Sequence, residues 1–137
     1  MAFQGYLLKF GSGVFPNKYL VPSSYKSTPY QRLELDSYRD ANALLHRETI
    51  GNYKTKIDFN TKANLKEQDK VNMFNIFSSG LVNQRERKYY IEYWNDETHS
   101  YKQGYFYMPD LEYTIKRIDE RNNTLIYDSL RIAFIEY

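Results

Sequence analysis

The sequence has no cysteine, only four prolines and two histidines, and no long apolar run. The lack of cysteine excludes a disulfide scaffold and a zinc site built on thiolates. No apolar segment approaches the ~20 residues of a membrane-spanning helix, and the N-terminus lacks the basic start and long apolar segment of a secretory signal. The 19 basic and 17 acidic residues leave a net charge of +2, which gives no strong field for DNA or an anionic membrane. We therefore expect a soluble protein that is made and kept in the cytoplasm until it assembles.

Tyrosine is abundant instead, with 15 residues in a chain of 137. Aromatic residues favour the pleated, half-buried surfaces of strands, and a tyrosine ring can be buried while its hydroxyl stays in water. Strand-like alternation of apolar and polar residues follows through much of the chain. The pattern predicts strands at residues 31–38, 44–50, 53–59, 88–94, 101–108, 111–118 and 124–136. The length predicts one main domain.

One segment has the period of a helix. Asn64 followed by Glu67 resembles a capping box, and Gly80 suits a left-handed helix end, so the pattern predicts a helix over residues 65–79. Its expected core face consists of Val71, Met73, Phe74 and Phe77. The order of strands, one helix and more strands predicts an α+β fold. We expect a mostly antiparallel β sandwich or open barrel with this helix on its flank.

Residues 1–29 are rich in proline and glycine yet contain many apolar side chains. Proline lacks a ladder donor and is rare in central strands, so the pattern predicts an N-terminal arm or an edge hairpin before a β domain at residues 30–137. Apolar side chains should not remain in water, so this segment should cover either its own sheet or a neighbouring subunit. If it covers a neighbour, the expected assembly interface is Phe3, Tyr6, Leu8, Phe10, Phe15 and Tyr19.

No pattern indicates catalysis, a metal site or a cofactor. His46 and His99 match no ligand spacing, and the acidic residues near residues 96–110 have the positions of turn formers. We therefore predict no enzyme, with a small hydrolase as a minor alternative. The stronger alternative is a nucleic-acid-binding accessory protein, because Arg85, Arg87 and Lys88 precede a run of aromatics. Those aromatics are Tyr89, Tyr90, Tyr93 and Trp94.

Several short motifs give the chain a family resemblance from residue 30 to residue 137. They are DSYRDAN at residues 36–42, LHR at 45–47, the strand at 54–59, YFYMPD at 105–110 and FIEY at 134–137. These motifs resemble a family of small proteins encoded in the tail gene clusters of long-tailed phages and prophages of Gram-positive bacteria. Ala43 departs from the glycine that the family tends to have there, and the loop at residues 95–100 lacks the usual Asp-Pro and Gly.

The order of elements is also similar to that of phage tail-tube and distal-tail proteins. This resemblance implies a structural, non-enzymatic component of a phage tail, tail tip or baseplate. It implies assembly into rings with copies of itself and with other tail proteins, without a membrane, a cofactor or a specific nucleic acid. It also favours partial burial of the N-terminal arm against a neighbouring subunit. The implied location is the virion tail, with assembly in the host bacterial cytoplasm.

Overall fold

Antiparallel strands are the main elements of the protein, whose structure is a computed structural model. It describes residues 3–31, 34–49 and 54–137, with the backbone alone for residues 34–37 and 47–49. The strands are β1 (Leu8–Phe10), β2 (Gly13–Val14), β3 (Lys26–Gln31), β4 (Glu34–Arg39), β5 (Leu45–Thr49), β6 (Lys54–Asn60), β7 (Leu65–Lys66), β8 (Leu81–Asn83), β9 (Lys88–Asn95), β10 (Ser100–Tyr107), β11 (Ile115–Asp119), β12 (Thr124–Tyr127) and β13 (Arg131–Glu136). The helix α1 spans Glu67–Ser78, and short 3-10 turns span Asn17–Tyr19 and Pro22–Ser24.

The largest sheet has eight strands. Seven of them follow the order β2-β1-β9-β10-β13-β6-β3, and the eighth, β8, pairs with the start of β9. A second sheet has the order β11-β12-β7, while β4 and β5 form a two-stranded sheet of their own. Every strand pair in the part of the chain that the structure describes is antiparallel. The α+β class with mostly antiparallel strands and one flanking helix is therefore confirmed for the described residues.

Alternating burial follows from the alternating sequence of the central strands. In β6, Thr55, Ile57 and Phe59 are buried between exposed or half-buried polar neighbours. β9 pairs with β10 along its whole length, from Asn95 opposite Ser100 to Lys88 opposite Tyr107. These elements agree with the expected strands at residues 53–59, 88–94 and 101–108, except that Tyr53 lies outside the described residues and Met108 follows the end of β10.

The segment predicted as one strand at residues 124–136 is two strands that belong to different sheets. β12 pairs with β11 and β7, and β13 pairs with β10 and β6. Residues 128–130 carry the chain from one sheet to the other. The alternation of Leu130, Ile132 and Phe134 is nevertheless correct, because all three side chains are buried. Similarly, only residues 115–118 of the expected strand at residues 111–118 belong to a ladder, in β11, which continues to Asp119.

The helix begins later than the sequence predicts. Leu65 and Lys66 pair with Tyr127 and Ile126 of β12, so the chain remains extended up to Lys66. The Asp69 carboxylate accepts a hydrogen bond from the Lys66 backbone N–H at 3.2 Å. Lys66 is therefore the residue before the helix, and the Asn64–Glu67 capping box is wrong. Asn64 instead has a φ of +63°.

Burial of α1 centres on Met73 and Phe77, with Phe74 and Ile76 partly buried against the same core. Val71 is 51% exposed, so its assignment to the core face is wrong. At 100° per residue, Val71 lies about 160° around the helix from Met73, whereas Ile76 lies about 60° away on the other side. The helix is thus rotated toward Ile76, and Val71 is left on the outer side.

Gly80 follows the helix without a positive φ, so it does not provide the left-handed helix end that the sequence suggests. Glycine is needed here because there is no space for a side chain. A Cβ at this position would lie 2.8 Å from the backbone oxygen of Tyr90 and 3.1 Å from Cα of Phe10. Because backbone atoms cannot swing away, only glycine allows α1 to return to the main sheet here.

The N-terminal segment belongs to the core of this chain. Leu8 and Phe10 of β1 pair with β9, and Phe15, Tyr19 and Leu20 lie in the same hydrophobic cluster as the later strands. Pro16 precedes the first 3-10 turn, Pro22 begins the second, and Pro29 lies in the edge strand β3. The prolines therefore do not keep this segment out of the sheet, and the described part of residues 1–29 contains the edge hairpin β1-β2.

Candidate assembly surfaces

Most of the predicted assembly interface is not available to a partner. Leu8, Phe10, Phe15 and Tyr19 are buried within their own chain, which corrects the expectation that they contact a neighbour. Phe3 is about half exposed and contacts Trp94 edge to face, with ring centroids 5.4 Å apart. Tyr6 stacks on Tyr101 at 4.7 Å, and its hydroxyl donates to Glu92 at 3.0 Å.

The hairpin formed by β4 and β5 is a more accessible element. Its register runs from Glu34 opposite Thr49 to Arg39 opposite Leu45, with one irregularity between Glu34 and Asp36. Within the described residues, neither strand is paired with another strand of the molecule. An isolated two-stranded hairpin is marginally stable in water, so such an element either has strong local stabilisation or gains order from a partner.

Local stabilisation comes from a carboxylate at the turn. One Asp40 oxygen accepts the backbone N–H groups of Asn42 at 2.9 Å and Leu44 at 3.1 Å. The other lies 2.9 Å from Nε2 of His46. The bond to His46 and the two amides lower the pKa of the Asp40 carboxyl. Ala43 has a φ of +62°, a conformation that favours glycine, so the glycine tendency noted at this position has a structural reason.

The tip of the hairpin presents apolar surface. Leu44 is 61% exposed, Leu45 is 47% exposed and Tyr38 is 55% exposed. The Tyr38 ring stacks on His46 with centroids 4.7 Å apart and an interplanar angle of 9°. Arg39 closes the turn by donating to the carbonyl of Ala43 at 3.0 Å. Polar groups of the tip are thus bonded within it, while its leucines remain in water. We name Tyr38, Leu44 and Leu45 the hairpin tip.

A second surface is the outer face of β9, β10 and the chain end, which is rich in tyrosine. Tyr90 lies opposite Tyr105 with ring centroids 5.0 Å apart, and Lys88 lies opposite Tyr107. The Lys88 ammonium lies 4.4 Å from the ring centroid of Tyr137 and 5.1 Å from that of Tyr105. Cross-strand aromatic pairs and cation–π contacts of this kind stabilise the sheet itself.

The aromatic residues that suggested nucleic-acid binding lie on two opposite faces of β9. Tyr89 and Tyr93 are buried in the core, whereas Tyr90 and Trp94 are partly exposed on the outer face. Burial raises the pKa of both inner tyrosines. The run therefore does not form one continuous stacking platform, because alternate residues of a strand point to opposite faces.

The third surface is a groove of about 550 Å³ between α1 and the second sheet. Val71 and Phe74 line one side, and Tyr113 and Tyr127 line the other. The Lys70 ammonium lies 3.7 Å from the ring centroid of Tyr127 and 4.4 Å from that of Tyr113. Glu67 and Asn75 complete the lining. We name this the helix groove.

The two histidines are in separate places. His46 belongs to the hairpin turn, and His99 ends the loop between β9 and β10 with a φ of +53°. Over residues 3–31, 34–49 and 54–137, no group of three or more His, Cys, Asp or Glu side chains could hold a metal ion. In the same part of the chain, no helix is long and apolar enough to cross a membrane.

Sequence comparison identifies a family but no activity. The family of unknown function DUF6711 matches residues 1–137, and the chain belongs to it. No curated protein matches the chain.

Structural comparison finds chains of gene transfer agent (GTA) particles. One is from the tail of an empty GTA particle with C6 symmetry, with 16% identity and a TM-score of 0.49. The other is from the virion of a native GTA particle, with 13% identity and the same TM-score. In both cases the comparison covers 100% of this chain and 94% of the other. At this TM-score and identity, the similarity does not establish a shared function.

Proposed function

We propose that this member of DUF6711 is a structural, non-enzymatic component of a phage tail, tail tip or baseplate, which acts by assembling with copies of itself and with other tail proteins. The motifs at residues 36–42, 45–47 and 105–110 support the tail assignment through their resemblance to tail-cluster proteins. Its place of action is then the virion tail, after assembly in the host cytoplasm. No cofactor enters this function.

The hairpin β4-β5 is the observation that supports assembly most strongly. Its strands pair only with each other among the described residues, and its tip exposes two adjacent leucines. Exposed apolar side chains on an element outside the main sheet are typical of a protein contact surface. Asp40 and Arg39 fix the turn beforehand, which lowers the ordering cost of binding.

Unpaired strand edges provide further contacts. β3 ends the main sheet on one side, and each strand of the hairpin has one free edge within the described residues. Free backbone N–H and C=O groups can accept a strand from a neighbour. Pro29 blocks one donor of β3, which reduces uncontrolled pairing along that edge. The hairpin is therefore the better edge for a specific contact.

A substitution at the hairpin tip tests this function. We expect purified wild-type protein, alone or with its tail neighbours, to form rings or larger assemblies by light scattering and electron microscopy. Leu44→Asp should prevent assembly while leaving the melting temperature unchanged, because this side chain is not in the core. Val82→Asp is the matched control, since Val82 is 55% exposed, close to the 61% of Leu44, but lies on β8. Assembly of Leu44→Asp at the wild-type level would contradict the role of the hairpin.

Nucleic-acid binding remains the second candidate, supported by Lys88 beside Tyr105 and Tyr137 on the outer face. It predicts binding to single-stranded DNA that weakens steeply as salt rises. Lys88→Ala should then weaken that binding without changing assembly. The structural role predicts no such binding at physiological salt.

A further inference from the structure

One end of the core, where β9 ends, contains several buried polar side chains. Asn95 is the last residue of β9 and is fully buried. Its Oδ1 accepts the backbone N–H groups of Glu97 at 2.9 Å and Thr98 at 3.1 Å. These two donors fix the orientation of the amide, so Nδ2 is the atom left for other partners. Among the described residues, this buried Nδ2 has no hydrogen-bond partner.

Two hydroxyl groups at the start of β3 are in the same condition. The Tyr25 hydroxyl and Ser27 Oγ are buried, and neither has a hydrogen-bond partner in the described part of the chain. The Tyr25 ring stacks on Phe59, with ring centroids 6.1 Å apart. Ser27 lies opposite the buried Ile57 of β6, and directly opposite residues of an antiparallel pair share a face. Both hydroxyl groups therefore lie on the core side of the sheet.

A contact across the core connects these hydroxyls to β9. Thr55 Oγ1 of β6 lies 3.2 Å from the Tyr93 hydroxyl of β9, and both residues are buried. Burial raises the pKa of Tyr93, whereas Thr55 and the nearby Asn95 amide oppose the rise. Burial also raises the pKa of Tyr25, and the charges of Asp96 and Tyr93 raise it further. The Tyr25 hydroxyl is therefore close to the end of β9 that carries Asn95.

We propose that internal water binds at this end of the core and bridges Asn95 Nδ2 to the hydroxyls of Tyr25 and Ser27. Water matches these groups, because the amide donates while each hydroxyl can donate or accept. In folded proteins, buried polar groups that have no protein partner are normally bonded to ordered water, which makes about three hydrogen bonds. A metal ion does not match, because an amide NH₂ has no lone pair to offer. The proposal is independent of the tail function.

A crystal structure of the full-length protein, at a resolution that shows ordered water, tests the site directly. We expect Asn95 Nδ2 and both hydroxyls to be connected through one water molecule, or through two that contact each other. Direct hydrogen bonds among the three protein groups would contradict the proposal. So would a structure in which any one of the three groups has no water within hydrogen-bonding distance.

Tyr25→Phe provides an independent test through the sign of its effect on stability. Phenylalanine keeps the ring against Phe59 and removes only the hydroxyl group. If that hydroxyl is bonded to internal water, its loss leaves the water with one partner fewer, and the melting temperature should fall by about 3–5 °C. A buried hydroxyl without any partner is unfavourable. An unchanged or higher melting temperature would therefore overturn the proposal.

Tyr105→Phe is the matched control for this measurement. It removes the same group from β10, where the Tyr105 side chain is 47% exposed and the hydroxyl is not part of the core. The control should change the melting temperature by less than ~2 °C. Equal decreases in the two variants would also refute the proposal, because the loss would then come from the substitution of tyrosine in general.

Discussion

Phe77 is the side chain on which the packing of α1 against the main sheet most depends. It is buried, and its ring centroid lies 4.8 Å from that of Phe10, 5.5 Å from that of Phe15 and 5.8 Å from that of Phe134. Phe77→Ala removes these contacts and leaves a cavity, which costs about 3–5 kcal/mol. For a domain of this size that corresponds to a drop in melting temperature of roughly 10–15 °C. Thermal unfolding followed by circular dichroism measures it.

Two other substitutions on α1 serve as comparisons for this loss of stability. Phe74→Ala should cost about 1–3 kcal/mol, because Phe74 is only partly buried. Val71→Ala should change stability by less than ~0.5 kcal/mol, since Val71 points outward. The expected order of destabilisation is therefore Phe77, Phe74, Val71. Similar melting temperatures for the Phe77 and Val71 variants would refute the orientation of the helix described above.

Three further predictions concern single groups. Ala43→Gly should stabilise the hairpin by about 1 kcal/mol, because Ala43 has a positive φ; slower amide hydrogen exchange in residues 34–49 would show it. Thr61→Val should cost about 1–3 kcal/mol in denaturant unfolding, because the buried Thr61 hydroxyl accepts the Leu130 N–H at 2.8 Å. The pKa of Asp40 is lowered, first by its bond to His46. The stabilisation that Asp40 gives to the hairpin is therefore fully present at a pH above the ordinary carboxyl pKa and is lost as the pH falls through the lowered pKa. Amide chemical shifts of the turn would follow this loss.

Local patterns were sufficient for the central strands and for the existence of the helix. β6 alternates strictly in sequence, and every second residue of β9 from Tyr89 to Tyr93 is apolar, which places Ile57, Phe59 and Ile91 in the core. The apolar period of α1 likewise identifies Met73 and Phe77. Such patterns reflect which face of an element is buried, so they can be recognised without knowledge of its partners.

Features that depend on distant partners could not be predicted in this way. β7 keeps Lys66 extended because β12 pairs with it, and this moves the start of the helix. Phe10 and Phe15 are in the core because β1 pairs with β9 and because Phe77 of α1 packs against both rings. The composition of residues 1–29 does not reveal that pairing. The exposed pair Leu44-Leu45 was visible in the sequence, but only the isolation of β4-β5 indicates that it has no cover in its own chain.

The central claim is that this protein is a structural part of a tail, and its location in finished particles tests that claim most directly. Immunogold electron microscopy of purified particles, with an antibody against the whole chain, is the decisive measurement. The account predicts gold on the tail or its tip and none on the head. Particles that carry no gold, although the infected or induced cells produce the protein, would contradict it.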